Sequence, residues 1–137
     1  MLDTNTVSYI LRDQSPKARK RLEHLSEEEE VCVSAITEGE IRYGLAKLAV
    51  KPETRDTIER FLEAIDILPW DSEVARVYGL TRAKLEAVGR PINNLDLLIG
   101  SHAMAVEAVL VTNDRAFRNL GNNLRTINWA TDLTARA

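Results

Sequence analysis

The chain has one cysteine, Cys32, and two histidines in 137 residues. A single cysteine cannot close an internal disulfide, so a reducing compartment is the expected setting. Cys32 sits inside the apolar run "VCVSAI" and is a weak nucleophile candidate, because cysteines buried in strands are usually inert. No run approaches the roughly 18 apolar residues that a membrane-spanning helix needs, and the sequence opens without a basic-plus-apolar signal segment. Both absences predict a cytoplasmic protein with no membrane partner. Positive charge is not in excess: the formal net charge is −3 and the sequence pI about 5.5. That argues against a nucleic-acid coat protein, which carries a basic surplus. Internal repeats, low-complexity tracts and Pro/Gly/Ser linkers are missing too, so one domain over residues 1–137 is expected.

What is present is an ordinary globular composition, 45% hydrophobic and 28% charged, enough for a core without staples. The runs "VCVSAI" (31–36), "IDILPW" (65–70) and "AVLVT" (108–112) are short and rich in β-branched residues. They read as buried parallel strands, with "LRTIN" (124–128) a weaker fifth candidate after a short strand ending at Asp3. Helical spacing covers 16–26, 35–49, 53–64, 71–88 and 94–106, and Val7, Ile10 and Leu11 are spaced along one further helix face. Pro16 suits the start of its helix, Asp71 a cap, and Gly89 a stop. On the 35–49 helix, Ile41, Leu45 and Leu48 mark the core face. The glutamates of "SEEEE" read as a solvated turn. Strands alternating with helices mean βαβ units and a parallel sheet with right-handed crossovers.

Four carboxylates fall at comparable places in this pattern: Asp3 after the first strand, Glu40 early in the helix after "VCVSAI", Asp96 at the start of "LDLLIGSHAMAV", and Asp114 after "VLVTN". Strand ends and helix N-termini share one edge of a parallel sheet, where ligands bind. Each acid has a plainer explanation. Asp3 could cap a helix, and Asp96 and Asp114 could serve helix N-termini through the backbone dipole. Glu38 lies nearer the core face than Glu40, so periodicity leaves that choice open. Together the acids say more. Converging carboxylates repel, and a hard divalent cation, Mg²⁺ or Mn²⁺, removes the conflict. That favours a ligand role for Asp3 over capping. Thr4, Asn5, Thr112 and Asn113 supply neutral hydrogen-bonding groups to orient such ligands. A metal site would also lower the net charge without excluding a nuclease.

The blocks "MLDTN", "VSAITEGEIRYG", "RPINNLDLLIGSHA" and "LVTNDRAF", with a closing "INWATDL", resemble the PIN-domain ribonucleases, specifically the VapC toxins of bacterial VapBC toxin–antitoxin pairs. The resemblance spans essentially the whole chain. It implies a doubly wound, three-layer α/β/α fold with a mostly parallel sheet of four to five strands, Mg²⁺- or Mn²⁺-dependent endoribonuclease activity, and frequent homodimers. It also implies a VapB antitoxin whose C-terminal segment blocks the site in a heteromeric complex. It selects Glu40 over Glu38 and matches Asp3 and Asp96 to core acids. Asp114 matches a position that is Asp in some members and Asn in others. Leu95 departs from a family pattern that often places a polar residue before the third acid. The motif style is similar to the members that cut initiator tRNA in its anticodon loop. RNA contacts are expected from Arg42, Arg82, Arg90 and Arg115, which lie near the motif blocks. His102 is read as a packing or hydrogen-bonding residue rather than a base, and His24 as surface.

Two rival classes remain. An Asp-nucleophile phosphatase-like α/β protein also places Asp at a strand end, but needs a later lysine to neutralise the phosphoryl group. The last lysine here is Lys84. A PIN fold kept only for binding RNA or protein would have lost the acids, and all four are present.

Overall fold

The computed structural model describes residues 1–133. The last four residues of the expected domain, 134–137, lie outside the described residues. Helices and strands alternate as α1 (Thr4–Leu11), α2 (Pro16–Glu23), β1 (Cys32–Ser34), α3 (Ala35–Lys47), α4 (Pro52–Ala64), β2 (Asp66–Leu68), α5 (Ser72–Ala87), α6 (Asn94–Ala105), β3 (Leu110–Val111), a 3₁₀ helix (Arg115–Asn123) and β4 (Thr126–Ile127). β1 pairs with β2 and β3 with β4, all in parallel. Leu2 joins the two pairs through parallel bridges to Val33 and Val111. The spatial order is therefore β2, β1, the Leu2 rung, β3, β4. Strand order reverses at the Leu2 rung, which makes the gap between Leu2 and β3 a topological switch point.

Alternation along these short strands sorts their residues onto two faces. Met1 and Leu110 join a core with Leu85, Leu97, Ile99, Ala103 and Phe117, contributed by α5, α6 and the 3₁₀ helix. Leu2, Val33 and Val111 join the other core with Val7, Ile10 and Ala18 from α1 and α2. Two cores on two faces make the three-layer α/β/α arrangement that the resemblance implies. The closing segment is fastened to the second core: Ala130 is buried in it, Trp129 stacks under the Arg21 guanidinium at 5.1 Å, and Ser15 Oγ donates to Asp132 Oδ1 at 2.5 Å.

Some boundaries differ from the sequence pattern. The second helix stops at Glu23 rather than reaching residue 26. Leu48 does not face the core; it is 53% exposed, because α3 ends at Lys47 and the Leu48 backbone turns extended, off the helical wheel. The run 65–70 is an edge strand rather than a buried one, and Asp66 is exposed. Cys32 is half-buried. Among the described residues no helix is long and apolar enough to cross a membrane.

Candidate active site

The carboxyl end of the Leu2 rung delivers Asp3 directly to the switch point. Its backbone N–H donates to Val111 O at 3.0 Å, locking it beside the end of β3. The side chain is only 3% exposed. Oδ1 accepts from Thr6 N at 2.8 Å, so Asp3 does cap α1, and Oδ2 accepts from Thr112 Oγ1 at 2.6 Å. Capping and a place in the acid cluster are thus combined in one residue rather than being alternatives. Burial pushes the Asp3 carboxyl above its ordinary value, the hydrogen bonds from Thr112 and Thr6 pull against this, and the nearby Asp114 charge raises it further.

Thr112 ties two of the acids together. It donates to Asp3, and its Oγ1 accepts from Asp114 N at 3.0 Å. Asp114 is half-buried and caps the 3₁₀ helix, its Oδ1 accepting from Ala116 N at 2.9 Å. Glu40 approaches from α3. Thr4 Oγ1, in the first turn of α1, lies 2.8 Å from Glu40 Oε1 as donor and 3.2 Å from the buried Thr37 Oγ1. The structure also separates Glu38 from Glu40: both are half-buried, but Glu38 pairs with Arg42 Nε at 3.0 Å. Asp96 is half-buried in the first turn of α6, whose cap is Asn93. Two aromatic residues not singled out by the sequence hold that turn. Trp70 Nε1 donates to Leu98 O at 3.0 Å, and Tyr78 OH donates to Asn94 Oδ1 at 2.7 Å. An aromatic alone signals core, so nothing in the pattern marked them.

Asn113 is buried and directs Nδ2 toward Ala130 O at 3.5 Å, toward the closing segment. Asn5 is half-buried in the first turn of α1. His102 is fully buried on α6, with Nδ1 hydrogen-bonded to Ser34 Oγ at 2.7 Å; burial holds its pKa below the ordinary value. Ser34 in turn caps α3, accepting from Ile36 N at 3.1 Å, so the histidine braces the helix that carries Glu40. Of the four arginines expected to meet RNA, Arg42 is bound to Glu38 and faces Glu59, and Arg82 donates to Glu86 and to Tyr78 OH. Arg90 lines a separate cavity beside Lys84 and Asn119. Arg115 lies next to Asp114.

Among the described residues no three His, Cys, Asp or Glu side chains are gathered tightly enough, as they stand, to close on a metal ion. The chemistry of the donors nonetheless suits a hard cation. Asp3 is a buried carboxylate beside a second one, and among the described residues no lysine or arginine pairs with Asp3, Glu40 or Asp114. Glu40 Oε2 and Asp114 Oδ2 also have no protein donor there, which leaves oxygen acceptors for an ion.

The model of the PIN domain matches residues 1–123. Ribonuclease VapC2 of Rickettsia felis is 35% identical over 130 residues, 94% of this chain and 96% of that protein. The chain belongs to the VapC family of PIN-domain proteins. The tRNA(fMet)-specific endonuclease VapC of Shigella flexneri is 33% identical over 131 residues, 95% of this chain and 97% of that protein. The crystal structure of VapBC2 from Rickettsia felis bound to a promoter DNA fragment superposes with a TM-score of 0.86 at 34% identity, covering 94% of this chain and 97% of the chain compared. For a VapC-family chain, the four acids named from the sequence therefore sit on a PIN scaffold whose order and layers match solved relatives along almost its full length.

Proposed function

We propose that this chain is the toxin of a VapBC-type pair: a single PIN domain acting in the cytoplasm as a Mg²⁺- or Mn²⁺-dependent endoribonuclease. The observation that carries the reading is the buried Asp3 at the switch point, coupled to Asp114 through Thr112, with no protein cation beside it. The VapC relatives are named as ribonucleases, and one as a tRNA(fMet)-specific endonuclease, which supports RNA, and initiator tRNA within it, as substrate; the anticodon loop is the target proposed in that RNA. Loops expose base edges and backbone that a duplex hides.

Asp3, Glu40, Asp96 and Asp114 would hold the ion. When bound, such an ion lowers the pKa of a water and stabilises negative charge on a phosphate. The chain's own groups do the positioning. Thr6 N–H and the Thr112 hydroxyl fix both oxygens of Asp3, and Thr4 fixes one oxygen of Glu40. These contacts leave each carboxylate with lone pairs that could accept an ion. The partner is a VapB antitoxin, as in the VapBC complexes of related chains. Its C-terminal segment would cover the acids within a heteromeric complex, with the toxin as a homodimer.

The test is cleavage of purified total tRNA by the antitoxin-free protein with Mg²⁺ or Mn²⁺, with EDTA, and with Asp96→Asn in parallel. Discrete fragments that vanish with EDTA and fall at least a hundredfold with the substitution are the expected result. A folded protein whose fragments persist unchanged in EDTA overturns the metal-dependent reading. Cleavage absent throughout, with growth inhibition in cells indifferent to Asp96→Asn, favours a PIN fold used only for binding.

A further inference from the structure

Arg118 was not marked by any motif, and the structure gives it a specific setting. Arg115 and Arg118 lie one turn apart at the start of the 3₁₀ helix that Asp114 caps. In a 3₁₀ helix residues i and i+3 eclipse, roughly 6 Å apart along the axis. The two guanidinium groups therefore share a face. Both line a cleft of 290 Å³ whose walls include Thr112, Asp114 and Asn128. The same Thr112 and Asp114 belong to the acid cluster, so the cleft opens directly off it.

Both arginines are exposed, and among the described residues neither guanidinium makes a hydrogen bond or ion pair. Arg19, Arg21, Arg42, Arg76 and Arg82 are each paired with a carboxylate, and Arg55 and Arg125 reach backbone carbonyls. Arg115 and Arg118 stand out in being both unpaired and one turn apart on the same cleft. Two neighbouring, unneutralised cations on one face repel each other and favour an anion between or above them. A guanidinium presents paired N–H donors that match a phosphate. The walls are polar apart from Ile127, which suits a hydrated polyanion better than the apolar centre of a protein interface.

We propose that this cleft is a phosphate subsite. It binds the RNA backbone next to the scissile phosphate, with Arg115 and Arg118 as the contacts that set the strand's path across Asp114. This rests on the nuclease reading above and adds the route by which its substrate lies. Phosphate contacts of this kind position a strand without reading its sequence. The subsite should therefore contribute affinity equally to all RNAs that the enzyme cuts.

The experiment compares wild type, Arg115→Ala/Arg118→Ala, Arg115→Lys/Arg118→Lys and, as a control for loss of a surface arginine elsewhere, Arg60→Ala, an exposed arginine on α4. Initial rates on purified total tRNA with Mg²⁺ separate KM from kcat. Binding of the same tRNA in EDTA, followed against salt, counts the phosphate contacts. The double alanine variant should raise KM about tenfold or more with kcat nearly unchanged, as loss of uniform binding does. Its salt slope should fall by roughly 1.4–1.8, the release expected from two contacts. The double lysine variant should regain most of the slope, and Arg60→Ala should match wild type. Unchanged KM and slope in the double alanine variant, with EDTA still abolishing wild-type cleavage, overturns the subsite and leaves the nuclease standing. If wild type cuts nothing, the nuclease reading fails first, and the salt slope alone then decides the subsite: an unchanged slope overturns it. A fall in kcat with KM and slope intact also overturns it, because that marks a role at the reacting atoms rather than in holding the strand.

Discussion

Asp3 is asked to do two jobs, and substitutions can take them apart. Asn caps helices about as well as Asp, so Asp3→Asn removes the charge and keeps the acceptor for Thr6 N–H, while its amide nitrogen replaces Oδ2 and the Thr112 hydroxyl must turn to accept from it. Asp3→Ala removes the cap, worth about 1 kcal/mol. It also strands the Thr112 hydroxyl, at about 1–3 kcal/mol for a buried donor left unpaired. For a chain of this size each kcal/mol moves Tm by roughly 3–6 °C. Asp3→Ala should therefore melt roughly 10 °C or more below wild type. Asp3→Asn should melt at or above wild type in EDTA at neutral pH, while cleaving no RNA. The sign follows from the raised pKa. A carboxyl that is harder to ionise in the fold contributes its stability fully below its ordinary value of 3.8, and loses it as pH rises through the raised one. At neutral pH the ionised Asp3 is thus a liability that the substitution removes, and the gap between the two proteins should close as pH falls toward 4. A divalent ion at a hundred times its Kd should add about 2.7 kcal/mol to wild type and little to Asp3→Asn. Differential scanning calorimetry over pH, with EDTA or Mn²⁺, reads all of this. An Asp3→Asn protein that melts as low as Asp3→Ala, or that gains as much from Mn²⁺ as wild type does, would refute the reasoning.

Two further outcomes are expected. His102 is fully buried and its pKa is held below the ordinary 6.5, chiefly by desolvation with Asp71 opposing. Its stability contribution is present above 6.5 and lost as pH falls through the depressed value, so unfolding below pH 6.5 should carry a slope of up to about 1.4 kcal/mol per pH unit, which His102→Gln flattens; equal slopes in chemical denaturation would exclude the histidine as the cause. At Gly100 an added Cβ would meet Leu120 Cδ1 at 2.4 Å, inside the core where α6 crosses the 3₁₀ helix. Gly100→Ala should lower stability by about 1–3 kcal/mol, and Leu120→Val in the same chain should recover part of it; a Tm within a degree of wild type would mean that the core yields freely there.

The strands and helices were legible because each carried its period. β-branched runs marked the sheet, and the capping roles expected of Pro16 and Asp71 are filled. The 3₁₀ helix was not foreseen. Arg115–Asn123 has no steady apolar period, and only Phe117 and Leu120 within it are buried, three residues apart. Arg118 was missed with it, since its value comes from lying one turn after Arg115. The acids could be named as a set from the sequence, but the hydrogen bonds between them could not. Nothing in "LDTN" says that Thr4 bonds Glu40, or that Thr112 joins Asp3 to Asp114, because those contacts cross 36 and 109 positions of sequence. Proximity in sequence to the motif blocks likewise said nothing of the partners of Arg42 and Arg82, each of which pairs with a carboxylate four residues away on its own helix.

The Leu2 rung sets a timetable. The central position of the sheet is written more than a hundred residues before one of its two neighbours, Val111. Contacts of such separation close late and slowly. During synthesis the segment bearing Asp3 has no finished sheet to enter until β3 leaves the ribosome. Asp114 and the arginine cleft follow β3 directly. A nuclease built this way cannot assemble its acids on a chain that stops short of β3, so the ribosome that makes it is not exposed to it until that strand has emerged.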